Sequence, residues 1–144
     1  MPIVWREQMS VGVKSIDQDH QQLIALINQF EKLAKRAVTL DGDNESEART
    51  LLGRLQTYAR EHFAREERLQ KMALYSGLAE NKHDHDKLSK VLADMINRFQ
   101  SDGRDDAKPV SSTEMVAFLN DWLVNHIIKV DLKMRGHRFP PGAW

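Results

Sequence analysis

The chain has 144 residues, 41% of them hydrophobic and 29% charged, which supplies one domain with enough apolar material for its own core. Its 21 basic residues balance 21 acidic ones, so net charge draws in neither nucleic acid nor an anionic membrane surface. Cysteine is absent, which excludes disulfides, thiolate metal sites, iron–sulfur clusters and thiol catalysis.

Residues 1–16 show no helical period. Ile3, Val4, Trp5, Met9, Val11 and Val13 predict an extended arm laid against the body of the protein. The opening residues carry no charged-then-apolar signal pattern, and no apolar run reaches the length of a membrane span, so the expected compartment is the cytoplasm. Ser15 with Gln18 has capping-box spacing, and Asp17 is a second candidate cap for a first helix. That helix carries the stripe His20, Leu23, Ile24, Ile27, Phe30, Ala34 and Val38.

Asp41-Gly42-Asp43-Asn44 reads as a turn, and Asn44 with Glu47 can start a second helix over about residues 45–74. Its stripe is Leu51, Leu52, Leu55, Tyr58, Ala59, His62, Glu66, Leu69 and Ala73. Ser76-Gly77 breaks the pattern. A third stripe follows as Leu78, Asn81, His85, Leu88, Leu92, Met95 and Phe99, and Ser101 to Pro109 reads as a polar loop. Ser111-Ser112-Thr113-Glu114 is a capping box. The fourth stripe is Met115, Val116, Leu119, Trp122, Leu123, His126, Ile127, Val130 and Met134, ended by Gly136 and Pro140-Pro141. Four amphipathic helices of roughly 20–30 residues predict an all-α fold. It is an antiparallel up-down-up-down four-helix bundle with an extended N-terminal arm, one domain over residues 1–144.

Four of the six histidines, His20, His62, His85 and His126, fall one to each inward stripe. Glu66 lies four residues beyond His62 and shares its face. Asp131, five residues beyond His126, sits at the edge of the fourth stripe. An antiparallel bundle can bring all six groups to one level of the core. A single inward histidine is ordinarily a hydrogen-bonded core residue, and a lone buried glutamate finds an arginine. Four imidazoles and two carboxylates in one core need something to organise them, because unpaired buried charge is expensive. A metal satisfies all six at once. Nitrogen and oxygen donors without sulfur suit iron, zinc, manganese or nickel, and two carboxylates can bridge two cations. His83 stands about 200° around the helix from His85 and is expected in solvent. His137 lies past the last stripe and is expected at the surface, and Glu67, about 100° from Glu66, is expected to be solvated or salt-bridged. Trp122, Tyr58, Met95 and Met134 read as core packing.

The ordered set His20, then His62-Phe63-Ala64-Arg65-Glu66-Glu67, then His85, then His126-Ile127-Ile128-Lys129-Val130-Asp131 resembles the hemerythrins, specifically their bacterial branch. Trp5 followed by Ser10-Val11-Gly12-Val13 and Ile16-Asp17 is similar to the family's opening. The third helix departs from the pattern: Asn81 stands where the family carries a ligand histidine, four residues before His85. The resemblance implies two non-heme irons cycling between Fe2+ and Fe3+, joined by an oxo or hydroxo bridge, with dioxygen as the ligand. It implies that His20 and His62 serve the iron that takes dioxygen. His85, His126 and the residue at position 81 serve the other, and Glu66 and Asp131 bridge. Asn81 offers a weaker donor than imidazole, so the second iron is expected to be lost more readily. The implied function is reversible dioxygen binding for storage, transport or sensing, by a monomer, with an oxygen-consuming protein as a candidate partner. Two alternatives stay open: a di-iron oxidoreductase that reduces peroxide or nitric oxide, and an altered bundle holding a single iron or zinc.

Overall fold

A computed structural model describes residues 2–36, 42–100 and 108–139. Three long helices come first: α1 (Lys14–Arg36), α2 (Gly42–Met72) and α3 (Leu78–Gln100). A fourth, α4, begins as an α-helix over Ser112–Asp121 and widens to a π-helix over Trp122–Ile128. It returns to α-helix over Lys129–Asp131 and ends in a 3-10 turn at Leu132–Met134. No strand occurs among the described residues. No helix there is long and apolar enough to cross a membrane. The helices form the expected antiparallel bundle, with α2 and α4 each packed against both α1 and α3.

The stripes explain the packing. Leu23, Ile27 and Phe30 from α1 meet Leu52 and Leu55 from α2, and Met115, Leu119 and Leu123 from α4, all essentially removed from water. Trp122 is 1% exposed and donates its indole N–H to the Leu88 carbonyl at 3.1 Å, so it ties α4 to α3 as a core residue. The N-terminal arm lies against the body as expected. Ile3 exchanges two backbone hydrogen bonds with the Asn28 side chain, at 2.9 and 2.8 Å. The Arg135 guanidinium holds the Gln8 and Ser10 carbonyls, each at 2.6 Å.

Helix boundaries differ from expectation in two places. α1 already begins at Lys14, after Gly12 turns the chain with a φ of +84°. Asp17 then anchors the arm, accepting from Ser10 Oγ at 2.5 Å and Val11 N at 2.9 Å. α2 is under way at Gly42, so Asp43 and Asn44 lie inside the helix and not in a turn. Val38, Asp41, most of the Ser101–Pro109 loop and Pro140-Pro141 lie outside the described residues. At the start of α4, Ser111 Oγ accepts from Glu114 N at 3.1 Å and faces the Glu114 carboxylate, the capping box read from the sequence.

α2 ends with Tyr75 N bonded to the Gln70 carbonyl at 2.9 Å, which forces Leu74 into the left-handed region at φ +53°. Leu74 is 89% exposed, so its side chain returns nothing for this conformation. Leu74→Gly is expected to raise stability by about 1 kcal/mol in urea unfolding. An unchanged or lower midpoint would show that the turn carries no strain.

The largest departure is on α4. An i→i+5 turn inserts one extra residue per turn, which shifts the phase of everything beyond Trp122. The inward positions become Trp122, Leu123, Ile127, Ile128, Asp131 and Met134. His126, expected on the inward stripe, is turned out.

Candidate metal centre

Three helices deliver the centre. His20 comes from α1, His62 and Glu66 from successive turns of α2, and Asp131 from the end of α4. One donor atom from each of the four lies within 4.8 Å of all the others, and all four residues are buried. His20 Nε2 is 2.7 Å from Asp131 Oδ2, and His62 Nε2 is 3.3 Å from the same oxygen. The two imidazole rings meet edge to face with centroids 4.9 Å apart.

His85 and Asn81 from α3 sit on the far side of Glu66. His85 Nε2 and Asn81 Nδ2 each approach Glu66 Oε1 at 3.4 Å. The His85 ring is stacked on Phe63 at 4.2 Å, which fixes its plane. His126 is not brought in. Its side chain is 54% exposed and pairs with Asp121 at 3.2 Å, on the rim of a groove of about 310 Å³ between α3 and α4. Straight α-helix puts residues five apart about 140° from each other, so His126 and Asp131 compete for the core. The π turn is resolved in favour of Asp131. His83 and His137 are exposed, as expected.

Two residues around the centre were not singled out from sequence. Asp19 is 4% exposed and faces α2. It accepts from His62 Nδ1 at 3.0 Å, from Tyr58 Oη at 2.9 Å, and from two nitrogens of Arg65 at 3.0 and 2.8 Å. Tyr58 therefore does more than pack. The signal was present: Tyr58, His62 and Arg65 follow helical spacing, and Asp19 is the residue before His20. Gln70 continues the His62, Glu66 spacing by one more turn, is fully buried, and donates to Glu66 Oε1 at 3.3 Å.

Electrostatics follow from this crowding. Burial alone would raise the Asp19 carboxyl, but bonds from His62, Arg65 and Tyr58 bring it down to about 2. An ionised Asp19 makes His62 Nδ1 the donor, which leaves the lone pair of a neutral ring on Nε2, aimed at the other three groups. Burial opposes a charge on His62, yet the carboxylates of Asp131, Asp19 and Glu66 hold its pKa well above the usual histidine value. Burial, and then the charge of Asp131, push Glu66 up. Asp131 goes the other way: burial is outweighed by His20 and His62, and its pKa is depressed.

The donor set fits a metal. Two imidazole nitrogens and two carboxylate oxygens suit a divalent transition ion. Glu66 Oε2 is fully buried, lies 3.1 Å from His62 Nε2, and accepts no hydrogen bond. An oxygen kept dry and without a donor is what a cation would fill.

Comparison with known proteins agrees with the geometry. The profile described as Hemerythrin HHE cation binding domain matches residues 11–135. The chain is similar to the bacteriohemerythrin of Methylococcus capsulatus (strain ATCC 33009 / NCIMB 11132 / Bath), 32% identical over 86% of both chains. It is similar to the myohemerythrin of Riftia pachyptila, 32% identical over 94% of this chain and 93% of the relative. A crystal structure of wild-type hemerythrin superposes with a TM-score of 0.75 at 31% identity, covering 95% of this chain and 98% of that one. The profile match spans the arm's end, all three donor-bearing helices and the π turn, and the chain belongs to the hemerythrin family.

Proposed function

We propose that this centre holds non-heme iron and that the protein binds dioxygen reversibly through it, for storage, transport or sensing and not as a catalyst. The observation that carries the reading is the meeting of His20, His62, Glu66 and Asp131 within 4.8 Å inside a hemerythrin-family bundle. Ferrous iron, when bound, supplies the electron density that dioxygen draws on. His20 and His62 would hold the iron that takes dioxygen.

The protein's own contribution is position and dryness. Asp19 fixes the tautomer of His62, and Phe63 packs against both His62 and His85. His20, His62 and Glu66 are completely removed from solvent, which keeps bulk water and its protons away from a bound ligand. Ferrous protein exposed to air should develop a charge-transfer spectrum that bleaches on deoxygenation. Protein that takes up no iron would overturn the reading. Steady consumption of peroxide or nitric oxide with a reductant would replace it with an oxidoreductase.

A further inference from the structure

Glu66 does not present its two oxygens alike. Oε1 is surrounded by nitrogen: Gln70 Nε2 at 3.3 Å, Asn81 Nδ2 at 3.4 Å and His85 Nε2 at 3.4 Å. Oε2 turns the other way, toward His62, and accepts no hydrogen bond. The Asn81 amide offers its N–H to the carboxylate, so its oxygen, the only atom able to ligate a cation, points elsewhere. On that side of Glu66 the remaining imidazole is His85 alone, because His126 is held outside by Asp121.

Charge counts agree. The carboxylates of Glu66 and Asp131 cancel one divalent ion. Asp19 is already matched by Arg65 at 2.8 Å. Glu67 is a quarter exposed and reaches only the outer nitrogen of His85, at 3.7 Å. A second dication would have no carboxylate of its own and would have to share these two.

We propose that the centre takes one ion: a single divalent transition metal on His20, His62, Asp131 and Oε2 of Glu66. Gln70, Asn81 and His85 then serve as donors that hold Oε1 and orient Glu66, and they do not form a second ligand set. The identity of the metal as iron rests on the function proposed above; the number of ions does not.

Cobalt(II) is a direct probe. The metal-free full chain is titrated anaerobically, followed by ligand-field absorption and calorimetry, and the metal retained after desalting is counted by mass spectrometry. The absorption should saturate at one equivalent, with one ion retained per chain. His126→Ala should leave that count unchanged. Asp131→Asn should weaken binding by at least about 100-fold, with circular dichroism confirming an intact bundle. If Asp131→Asn does not fold, the count on the unaltered chain still decides. Two ions retained with similar affinity, the second lost in His126→Ala, would overturn the one-ion assignment and leave the iron reading standing. No retained ion would overturn both.

Discussion

Loading the metal-free protein with a divalent cation should raise its thermal midpoint by about 8–16 °C at a free concentration a thousand times the dissociation constant. Binding that excludes the unfolded chain contributes about 4 kcal/mol at that saturation. Each kcal/mol moves the midpoint of a chain of this size by about 2–4 °C. The structural cause is the cluster itself. Without a cation, two carboxylates and two imidazoles share one dry volume, and the affinity of His62 and Glu66 for protons is raised there.

The size of the effect should depend on pH, and its sign can be derived. His62 has a raised folded pKa, so its contribution to the metal-free protein is complete below about 6.5 and is lost as pH climbs through the folded value. A bound metal needs that nitrogen without its proton, so loading is favoured by the same rise. The gap between loaded and metal-free midpoints should therefore widen from pH 6 to pH 8, measured by scanning calorimetry with and without chelator. A gap that stays constant or narrows would mean that these imidazoles are not the ligands.

Asp19→Ala should cost about 3–5 kcal/mol, the penalty for removing one partner of a buried charge network. Arg65 is a third exposed and can recover some water, so the lower end of that range is expected. His62 is fully buried and cannot. Asp19→Asn keeps the shape and removes the charge, which separates packing from electrostatics. Metal affinity should fall in both variants by about 10- to 100-fold, because the Nδ1 partner of a ligating histidine sets its tautomer. The acid limb gives a second readout. The Asp19 carboxyl is depressed to about 2, so its contribution is present above about 4 and is lost as pH falls toward 2. The stability difference between the unaltered chain and Asp19→Asn should close over that window. A difference that persists unchanged at pH 2 would show that charge is not what Asp19 supplies.

The bundle and most of the centre were legible because α-helical period is a strong signal. His20, His62, Glu66 and His85 fall on stripes of otherwise apolar residues, and the structure buries each of them. Asn81 keeps its inward register too, although it turns its amide nitrogen toward Glu66. Period fails at His126, where a π turn resets the phase and no residue in Trp122–Ile128 announces it. The spacing of His126 and Asp131 held the one available warning, since a straight helix cannot turn both inward. Asp19 and Gln70 were missed for another reason. A carboxylate and an amide on the flank of a stripe resemble ordinary surface groups until the facing helix supplies Arg65, Tyr58 or Glu66.

The Asp19 contacts have a mechanical result. Tyr58, His62 and Arg65 reach one carboxylate from three successive levels of a single helix, so sliding α1 past α2 by one helical turn would break all four bonds together. That hairpin is keyed at a fixed offset, like teeth on one cog. Two imidazoles and Glu66 are consequently aligned before anything binds, and the carboxylate from the last helix already rests against them, 2.7 Å from His20.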